Sequence, residues 1–296
     1  MRVFVTGATG FVGAAVVKEL IAAGHQVLGL ARSDASAASL VAAGAEVHLG
    51  TLEDLDSLRR GAAATDGVIH TAFIHDFSQF AANCEVDRLA IEALGDALAG
   101  SDRPLIATGG TAMLAPGGMA TEDTEPPAAG VIPRVSEHTV LAQAPRGVRA
   151  MAIRLPPSVH GDGDHGFVPT LIGIARDKGV SIYVGQGLNR WSAAHRFDTA
   201  RLYRLALEKG LAGARYHAIA EEAVPFREIA GVIGRRLNLP VVSKAPEELG
   251  DHFGFLGMFA GMDAPASSQK TRDFFGWRPT QLGLIADLEQ GRYFEA

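Results

Sequence analysis

Short apolar runs and longer stretches of mixed polarity alternate along the first half of the chain. The apolar runs predict buried β-strands at residues 2–6, 26–31, 45–49, 67–71, 104–108 and 149–154. The stretches between them predict helices near residues 11–23, 35–43, 54–62, 78–99 and 135–144. Strands and helices that alternate in this order form right-handed βαβ units. We therefore expect an α/β fold with a doubly wound parallel sheet.

The regular alternation of strands and helices ends after residue 154, where two prolines stop the sixth predicted strand. Further helical patterns follow near residues 168–177, 198–209 and 225–237, with a strand-like run at 216–219 between the last two. We expect a first domain at residues 1–154, to which residues 190–222 return. Residues 155–189 and 223–296 are expected to form a smaller C-terminal lobe that closes over the sheet edge and holds a substrate.

A glycine-rich segment follows the first predicted strand and opens the first predicted helix. Its glycines permit a tight turn, leave room for phosphates and let the helix pack closely on the strand. The N–H groups and the positive end of the helix then face a pyrophosphate. An ordinary turn would explain one glycine but not three at this spacing. The segment predicts a Rossmann dinucleotide site, with contacts from Thr6, Gly7, Thr9, Gly10, Phe11, Val12 and Gly13.

The end of the second predicted strand indicates which dinucleotide binds. An acidic residue there binds the ribose 2′-hydroxyl of NAD, whereas this strand is followed by Arg32 and Ser33. A cation and a hydroxyl suit a 2′-phosphate, which favours NADP(H). Two alternatives remain: Asp34 reaching a ribose hydroxyl, and Ser33 acting only as the N-cap of the next helix.

Composition narrows the possible partners. The chain has 296 residues, 47% of them hydrophobic, and a net charge of −6. We see no basic stripe, so nucleic acid is not expected as a partner. Cys84 is the single cysteine, which excludes a disulfide framework and a thiolate metal site. No leader or membrane-spanning pattern is found, so we expect a soluble cytoplasmic protein with no membrane partner. We also expect no bound metal.

These motifs resemble the extended or atypical short-chain dehydrogenases/reductases of the NAD-dependent epimerase/dehydratase group. The resemblance covers nearly the whole chain: the segment 6–13 matches TGxxGxxG, and 68–72, 154–161, 195–198 and 275–279 resemble further family segments. It implies that Ala72 and Phe73 line the cofactor ribose and that the loop with Pro156 and Val159 lies beside the nicotinamide. Near the adenine, Thr51 and Leu52 stand where the family often has Asp-Leu.

The chain departs from this family at the catalytic pair. The family uses a Tyr-x-x-x-Lys pair, in which the Lys holds the nicotinamide ribose and the Tyr exchanges the substrate proton. Alignment on Ser136 places Pro133 at the Tyr and Glu137 at the Lys. We therefore expect the dyad to be absent and Glu137 to be a carboxylate favoured by the dipole of a first helical turn.

Four other residues are candidates for catalysis. The resemblance implies that a hydroxyl at the end of the fifth strand, Thr108 or Thr111, polarises a substrate carbonyl, although short polar side chains also cap turns. His75 and His160 follow the fourth and sixth strands, and an imidazole has a suitable pKa for a proton donor. The alternative for His75 is a solvated residue beside a helix cap. For His160 and its neighbours, a mobile polar loop is favoured over a metal site.

The leading interpretation is an NADP(H)-dependent oxidoreductase that reduces a C=O, C=N or activated C=C bond. The Phe- and Met-rich stretch 253–262 indicates either the core of the C-terminal lobe or a wall for a small, fairly apolar substrate. The alternative is a non-catalytic NADP(H)-binding redox sensor or docking protein, and a nucleotide-sugar epimerase is a weaker third. Helices 78–99 and 135–144 are the usual dimer faces of related proteins, so the resemblance also suggests a homodimer.

Overall fold

A computed structural model describes residues 1–127 and 133–295. Its strands are β1 (Arg2–Thr6), β2 (Gln26–Ala31), β3 (Glu46–Leu49), β4 (Gly67–His70), β5 (Pro104–Gly110), β6 (Arg149–Leu155), β7 (Ser158–His160), β8 (Ser181–Val184), β9 (Arg190–His195), β10 (Arg215–His217), β11 (Glu221–Pro225) and β12 (Val241–Lys244). Its helices are α1 (Phe11–Ala22), α2 (Asp34–Ala42), α3 (Leu55–Ala63), α4 (Phe80–Leu98), α5 (Ser136–Leu141), α6 (Phe167–Lys178), α7 (Arg196–Lys209), α8 (Phe226–Leu237), α9 (Leu249–Phe253), α10 (Gly257–Ala260), α11 (Gln269–Phe275) and α12 (Leu284–Gln290).

The central sheet has seven strands in the order β10-β6-β5-β4-β1-β2-β3. Strand β1 pairs in parallel with both β2 and β4, and the pairs β2–β3 and β4–β5 are also parallel. The strand order reverses direction between β1 and β4, which is where sheets of this type bind ligands, beyond the carboxyl ends of the strands. The predicted α/β fold with a doubly wound parallel sheet is confirmed.

The chain divides into two compact units. The first comprises Met1–Gly109, Pro126–Arg154 and Thr199–Tyr216, and the second comprises Gly110–Glu125, Leu155–Asp198 and His217–Ala296. The core of the first unit joins sheet residues to helices α3 and α4. Its fully buried members include Phe4, Leu58, Ile91, Leu94 and Leu105.

The second unit has its own core around two small sheets. One sheet has the order β11-β9-β7, and the other pairs β12 with β8. Trp191 is buried in this core and donates its indole N–H to the Phe259 carbonyl oxygen at 3.0 Å. In the stretch 253–262, Phe253 belongs to this core, whereas Phe255 and Met258 are exposed.

The sequence predicted the large elements well and the small ones poorly. The predicted strands 2–6 and 26–31 match β1 and β2, and 149–154 differs from β6 only at its end. Helix α5 is shorter than the predicted helix 135–144, because it begins at Ser136 and ends at Leu141. The small-sheet strands β7, β8, β9, β11 and β12 were not predicted. Among the described residues, no helix is both long and apolar enough to cross a membrane.

Candidate functional site

The glycine-rich turn is tightly packed between β1, β4 and α1. Gly7 has a φ of +67°, and a Cβ on it would lie 2.7 Å from the backbone nitrogen of Ala72. A Cβ on Gly13 would lie 1.9 Å from the Gly7 carbonyl oxygen. Both positions therefore require glycine, one for its backbone conformation and both for the close approach.

Helix α1 begins at a residue that has no side chain to cap it. Its N-cap, Gly10, is extended, provides no side-chain hydrogen bond, and no acidic residue lies in the first turn. Gly10 is exposed, and a Cβ there would meet only the Gly7 carbonyl oxygen, at 3.2 Å. The N–H groups of the first turn carry the positive end of the helix dipole, and a side chain at Gly10 would fill the space in front of them. This arrangement fits the pyrophosphate of a dinucleotide.

The end of β2 presents a cation to solvent. Arg32 is exposed and makes no hydrogen bond or ion pair with the rest of the described chain. Ser33 caps α2 by accepting a hydrogen bond from the Ser36 backbone N–H at 3.3 Å, and Asp34 is the first residue of that helix. Ser33 therefore acts as the predicted N-cap. At the end of β3, Thr51 is exposed and Leu52 is buried in the core of the first unit.

A buried chain of hydrogen bonds lies beneath the glycine-rich turn. Thr6 Oγ1 is 2.8 Å from His70 Nδ1, and His70 Nε2 is 3.1 Å from Asp87 Oδ1. The Ser136 hydroxyl donates to Asp87 Oδ2 at 2.5 Å. Burial raises the pKa of Asp87, but the hydrogen bond and charge of His70, with Arg134 and Ser136, outweigh burial and bring the pKa below its ordinary value. Asp87 is therefore held as a carboxylate.

Sequence reasoning did not find this network. His70 lies inside a fully buried apolar strand, and a histidine at such a position was the available signal. Asp87 is a buried acid on α4, and an acid at a buried position is almost always paired.

The Thr108 hydroxyl points into the first unit. It donates to the His70 carbonyl oxygen at 2.9 Å and lies 2.7 Å from the Tyr203 hydroxyl. Tyr203 is fully buried, and burial raises its pKa. Thr108 thus has two internal partners, and Tyr203 is held neutral.

The loop after β4 carries three of the predicted residues at one surface. Ala72 and Phe73 are half-buried, and His75 is exposed with its ring centroid 5.1 Å from that of Phe73. Asp76 caps the following 3₁₀ turn by accepting hydrogen bonds from Ser78, which lower its pKa. The capping role of Asp76 matches the alternative considered for this segment.

Glu137 forms a buried ion cluster. Its Oε1 accepts hydrogen bonds from Arg154 Nη2 at 2.6 Å and from Arg215 Nε at 2.7 Å, and its Oε2 accepts one from Arg154 Nε at 2.7 Å. The Arg154 side chain is 0% exposed. The carboxylate therefore neutralises cations within the first unit, in addition to its place in the first turn of α5.

The second unit holds the remaining predicted residues. The buried Thr111 hydroxyl donates to the Leu155 carbonyl oxygen at 3.3 Å. Pro156 is buried and Val159 half-buried. His160 is 0% exposed: its Nδ1 lies 2.8 Å from Asp287 Oδ2, and its Nε2 has no hydrogen-bond partner in the described chain.

The loop after β7 is tied to the end of the chain. The Gly161 backbone N–H donates to the Tyr293 hydroxyl at 2.8 Å, and that hydroxyl donates to Asp164 Oδ2 at 3.3 Å. Burial raises the pKa of Asp164 to about 6. No group of three metal-binding side chains occurs in the described part of the chain.

Comparisons with known proteins agree with this architecture. The model of the NAD dependent epimerase/dehydratase family matches residues 3–219. The uncharacterized protein C2A9.02 of Schizosaccharomyces pombe is 52% identical over 295 residues, which cover 99% of this chain and 100% of that protein. A 4-hydroxy-2-methyl-3-oxo-4-farnesyl-3,4-dihydroquinoline-1-oxide ketoreductase of Stigmatella aurantiaca is 28% identical, over 85% of this chain and 80% of that protein.

Among solved structures, UDP-glucose 4-epimerase of Thermus thermophilus, in complex with NAD, superposes with a TM-score of 0.76. The match covers 99% of each chain at 20% identity, so it supports the fold alone. The matched family model spans the glycine-rich turn, the central sheet and the buried network beneath it. The chain belongs to the NAD dependent epimerase/dehydratase family.

Proposed function

We propose that the protein is an NADP(H)-dependent oxidoreductase that reduces the carbonyl group of a small, fairly apolar molecule. Activated C=C and C=N bonds are also possible substrates in this proposal, because each can accept a hydride. The observation that carries the proposal is the glycine-rich start of α1, whose N-cap gives no side-chain hydrogen bond, together with an exposed Arg32 after the adjacent strand, which has no partner among residues 1–127 and 133–295.

The cofactor-binding residues have separate tasks. The turn Gly7–Gly13 holds the pyrophosphate by its backbone, and Arg32 meets the 2′-phosphate with Ser33 beside it. Thr51 and Leu52 lie on the adenine side, and Ala72 and Phe73 on the ribose side. Pro156 and Val159 stay predictions for the nicotinamide. When bound, the cofactor supplies the hydride, and the protein supplies position, polarity and a proton.

His75 is the better proton donor of the two candidate histidines. Its side chain is exposed, whereas the ring of His160 is completely buried and bonded to Asp287. A donor must come within hydrogen-bond reach of the substrate. The name of the Stigmatella relative, a ketoreductase of a farnesyl-bearing compound, supports an apolar ketone as the substrate.

The cofactor is tested by titrating NADPH and NADH into the wild type and Arg32→Ala. Loss of one charge-assisted contact should weaken NADPH binding by roughly tenfold to hundredfold and leave NADH nearly unchanged. Arg59→Ala is the matched control, because Arg59 is a surface arginine that pairs with Asp56. Equal wild-type affinities for the two cofactors would refute the choice of NADP(H).

A non-catalytic NADP(H)-binding sensor or docking protein is the second candidate. The internal partners of the Thr108 and Thr111 hydroxyls favour it, because neither hydroxyl is left over to polarise a carbonyl. A panel of ketones, imines and enones separates the two functions. Substrate-dependent loss of NADPH absorbance excludes the sensor. Tight NADPH binding without turnover, accompanied by a redox-dependent change of oligomeric state, supports it.

A further inference from the structure

We propose that Arg134 binds the nicotinamide half of the cofactor, through the oxygen atoms of its ribose and carboxamide. This inference rests on the proposed function and adds to it a residue that sequence reasoning did not select. It concerns the first unit alone, since every group that fixes Arg134 belongs to that unit.

The position of Arg134 is the first observation. Its Nη2 donates to the Thr108 carbonyl oxygen at 3.2 Å, near the carboxyl end of β5. Its guanidinium carbon lies 4.2 Å from the ring centroid of Phe73, which follows the carboxyl end of β4. Arg134 therefore lies at the ligand-binding edge of the sheet, over β4 and β5.

The strand order assigns this place to one half of the cofactor. A dinucleotide lies across the point where the order reverses, with one nucleotide on each side. Arg32 follows β2 and meets the 2′-phosphate in the proposed function, so the adenosine half lies over β1 and β2. Strands β4 and β5 are on the other side of the reversal, which leaves the nicotinamide half for the surface that holds Arg134.

The guanidinium retains donors for a ligand. A guanidinium carries several N–H donors, and Arg134 uses one to reach the Ser136 hydroxyl at 3.0 Å and one to reach Thr108. The other donors have no partner in the described part of the chain. The stacking on Phe73 leaves them in the plane of the guanidinium, where ribose and carboxamide oxygens can accept hydrogen bonds.

The buried network fixes this geometry in advance. Ser136, which accepts from Arg134, donates to Asp87, and Asp87 is connected through His70 to Thr6 at the start of the glycine-rich turn. The same covalent and hydrogen-bonded frame therefore holds the pyrophosphate turn and Arg134. A donor that is already oriented loses little conformational entropy when the ligand binds.

Glu137 does not pair with Arg134, although the charge of Arg134 also helps to lower the pKa of the buried Asp87. Glu137 Oε1 accepts hydrogen bonds from Arg154 and Arg215, and its Oε2 accepts one from Arg154, so its negative charge is compensated within that cluster. Arg134 thus contributes positive charge at the edge where the family resemblance expects a lysine at the position of Glu137.

Binding of a cofactor fragment tests the inference without any substrate. The affinities of NADPH and of 2′,5′-ADP, which lacks the nicotinamide half, are measured by calorimetry for wild type, Arg134→Ala and Arg134→Lys. We expect Arg134→Ala to weaken NADPH binding by roughly tenfold or more and to change 2′,5′-ADP binding less than about twofold. Arg134→Lys, which keeps the charge but loses the planar fork, should fall between. Arg32→Ala should weaken both ligands together.

Controls separate a binding role from a structural one. His138 is exposed on α5, which begins two residues after Arg134, and His138→Ala should leave both affinities unchanged. Thermal unfolding of each variant is recorded beside the titrations. If Arg134→Ala weakens both ligands equally, or weakens neither, the inference is wrong while the proposed cofactor site stands. If the wild type binds neither ligand, the proposed function itself fails and the inference fails with it.

Discussion

Replacement of Glu137 by Gln should strongly destabilise the first unit. The substitution keeps the shape of the side chain but removes its negative charge and turns one acceptor oxygen into an N–H₂ group. Both oxygens of Glu137 currently accept hydrogen bonds from arginine N–H groups at 2.6–2.7 Å. In the variant at least one of these charged hydrogen bonds is lost, and an N–H donor faces another donor.

The expected cost follows from burial. Arg154 is 0% exposed, so it cannot recover by hydration the charge compensation that it loses. Removal of one partner from such a pair costs about 3–5 kcal/mol, out of a total stability of roughly 5–15 kcal/mol for typical proteins. Glu137→Lys, which inserts the residue type that the family resemblance expects, should destabilise more, because it places a third cation beside Arg154 and Arg215.

Urea unfolding followed by far-UV circular dichroism measures the effect. With an m value of roughly 3 kcal/mol/M, the midpoint should fall by roughly 1–1.7 M for Glu137→Gln. Both tryptophans, Trp191 and Trp277, belong to the second unit. Tryptophan fluorescence therefore reports on that unit separately and shows whether the loss of stability is confined to the first.

A matched substitution controls for the change of net charge. Glu85→Gln on α4 removes the same charge from an exposed pair with Arg88, and surface pairs contribute little, so its midpoint should not move measurably. A midpoint for Glu137→Gln within experimental error of wild type would refute the assignment of Glu137 to a stabilising ion cluster. Loss of activity at unchanged stability would instead indicate a direct catalytic role.

Three further outcomes are expected. Gly13→Ala forces a Cβ against the carbonyl oxygen of the turn, so NADPH affinity in calorimetry should fall at least about tenfold and stability in urea titrations by about 1–3 kcal/mol. In the control Gly173→Ala the Cβ meets nothing inside α6, so NADPH affinity should stay unchanged and stability should rise by about 0.5–1 kcal/mol. The raised pKa of Asp164, about 6, means that the folded state favours the protonated acid, so the free energy of unfolding should decline as the pH rises from 4 to 6. Asp164→Asn should remove this decline and gain up to about 3 kcal/mol at pH 7. If the free energy of unfolding, measured with urea, depends on pH in the same way for both proteins, this expectation is wrong. His75→Ala should lower kcat by roughly a hundredfold at unchanged NADPH affinity, whereas His160→Ala should act mainly on stability; near-normal turnover of both variants would exclude either histidine as donor.

The architecture of the first unit follows from the amino-acid order. Strands of a parallel sheet are buried on both faces, so β1 and β2 appear as continuous apolar runs whichever residues pack against them. The glycine spacing at 7, 10 and 13 can also be read from the sequence. Gly7 needs glycine for its positive φ, Gly13 for a backbone contact too close for a side chain, and Gly10 leaves open the space before α1. The short strands β8 and β12 were missed, since four residues carry little periodic signal and their pairing joins segments far apart in the chain.

The roles of the polar residues, in contrast, depend on the folded chain. From sequence, Glu137 was only a carboxylate at the start of a helix; folding brings it against Arg154 and Arg215, which are 17 and 78 residues away. Thr108 was a candidate to polarise a substrate, but its hydroxyl lies beside that of Tyr203, 95 residues later. The physical reason is that a local pattern fixes backbone conformation, whereas a hydrogen bond or an ion pair depends on partners that only folding brings within about 3 Å.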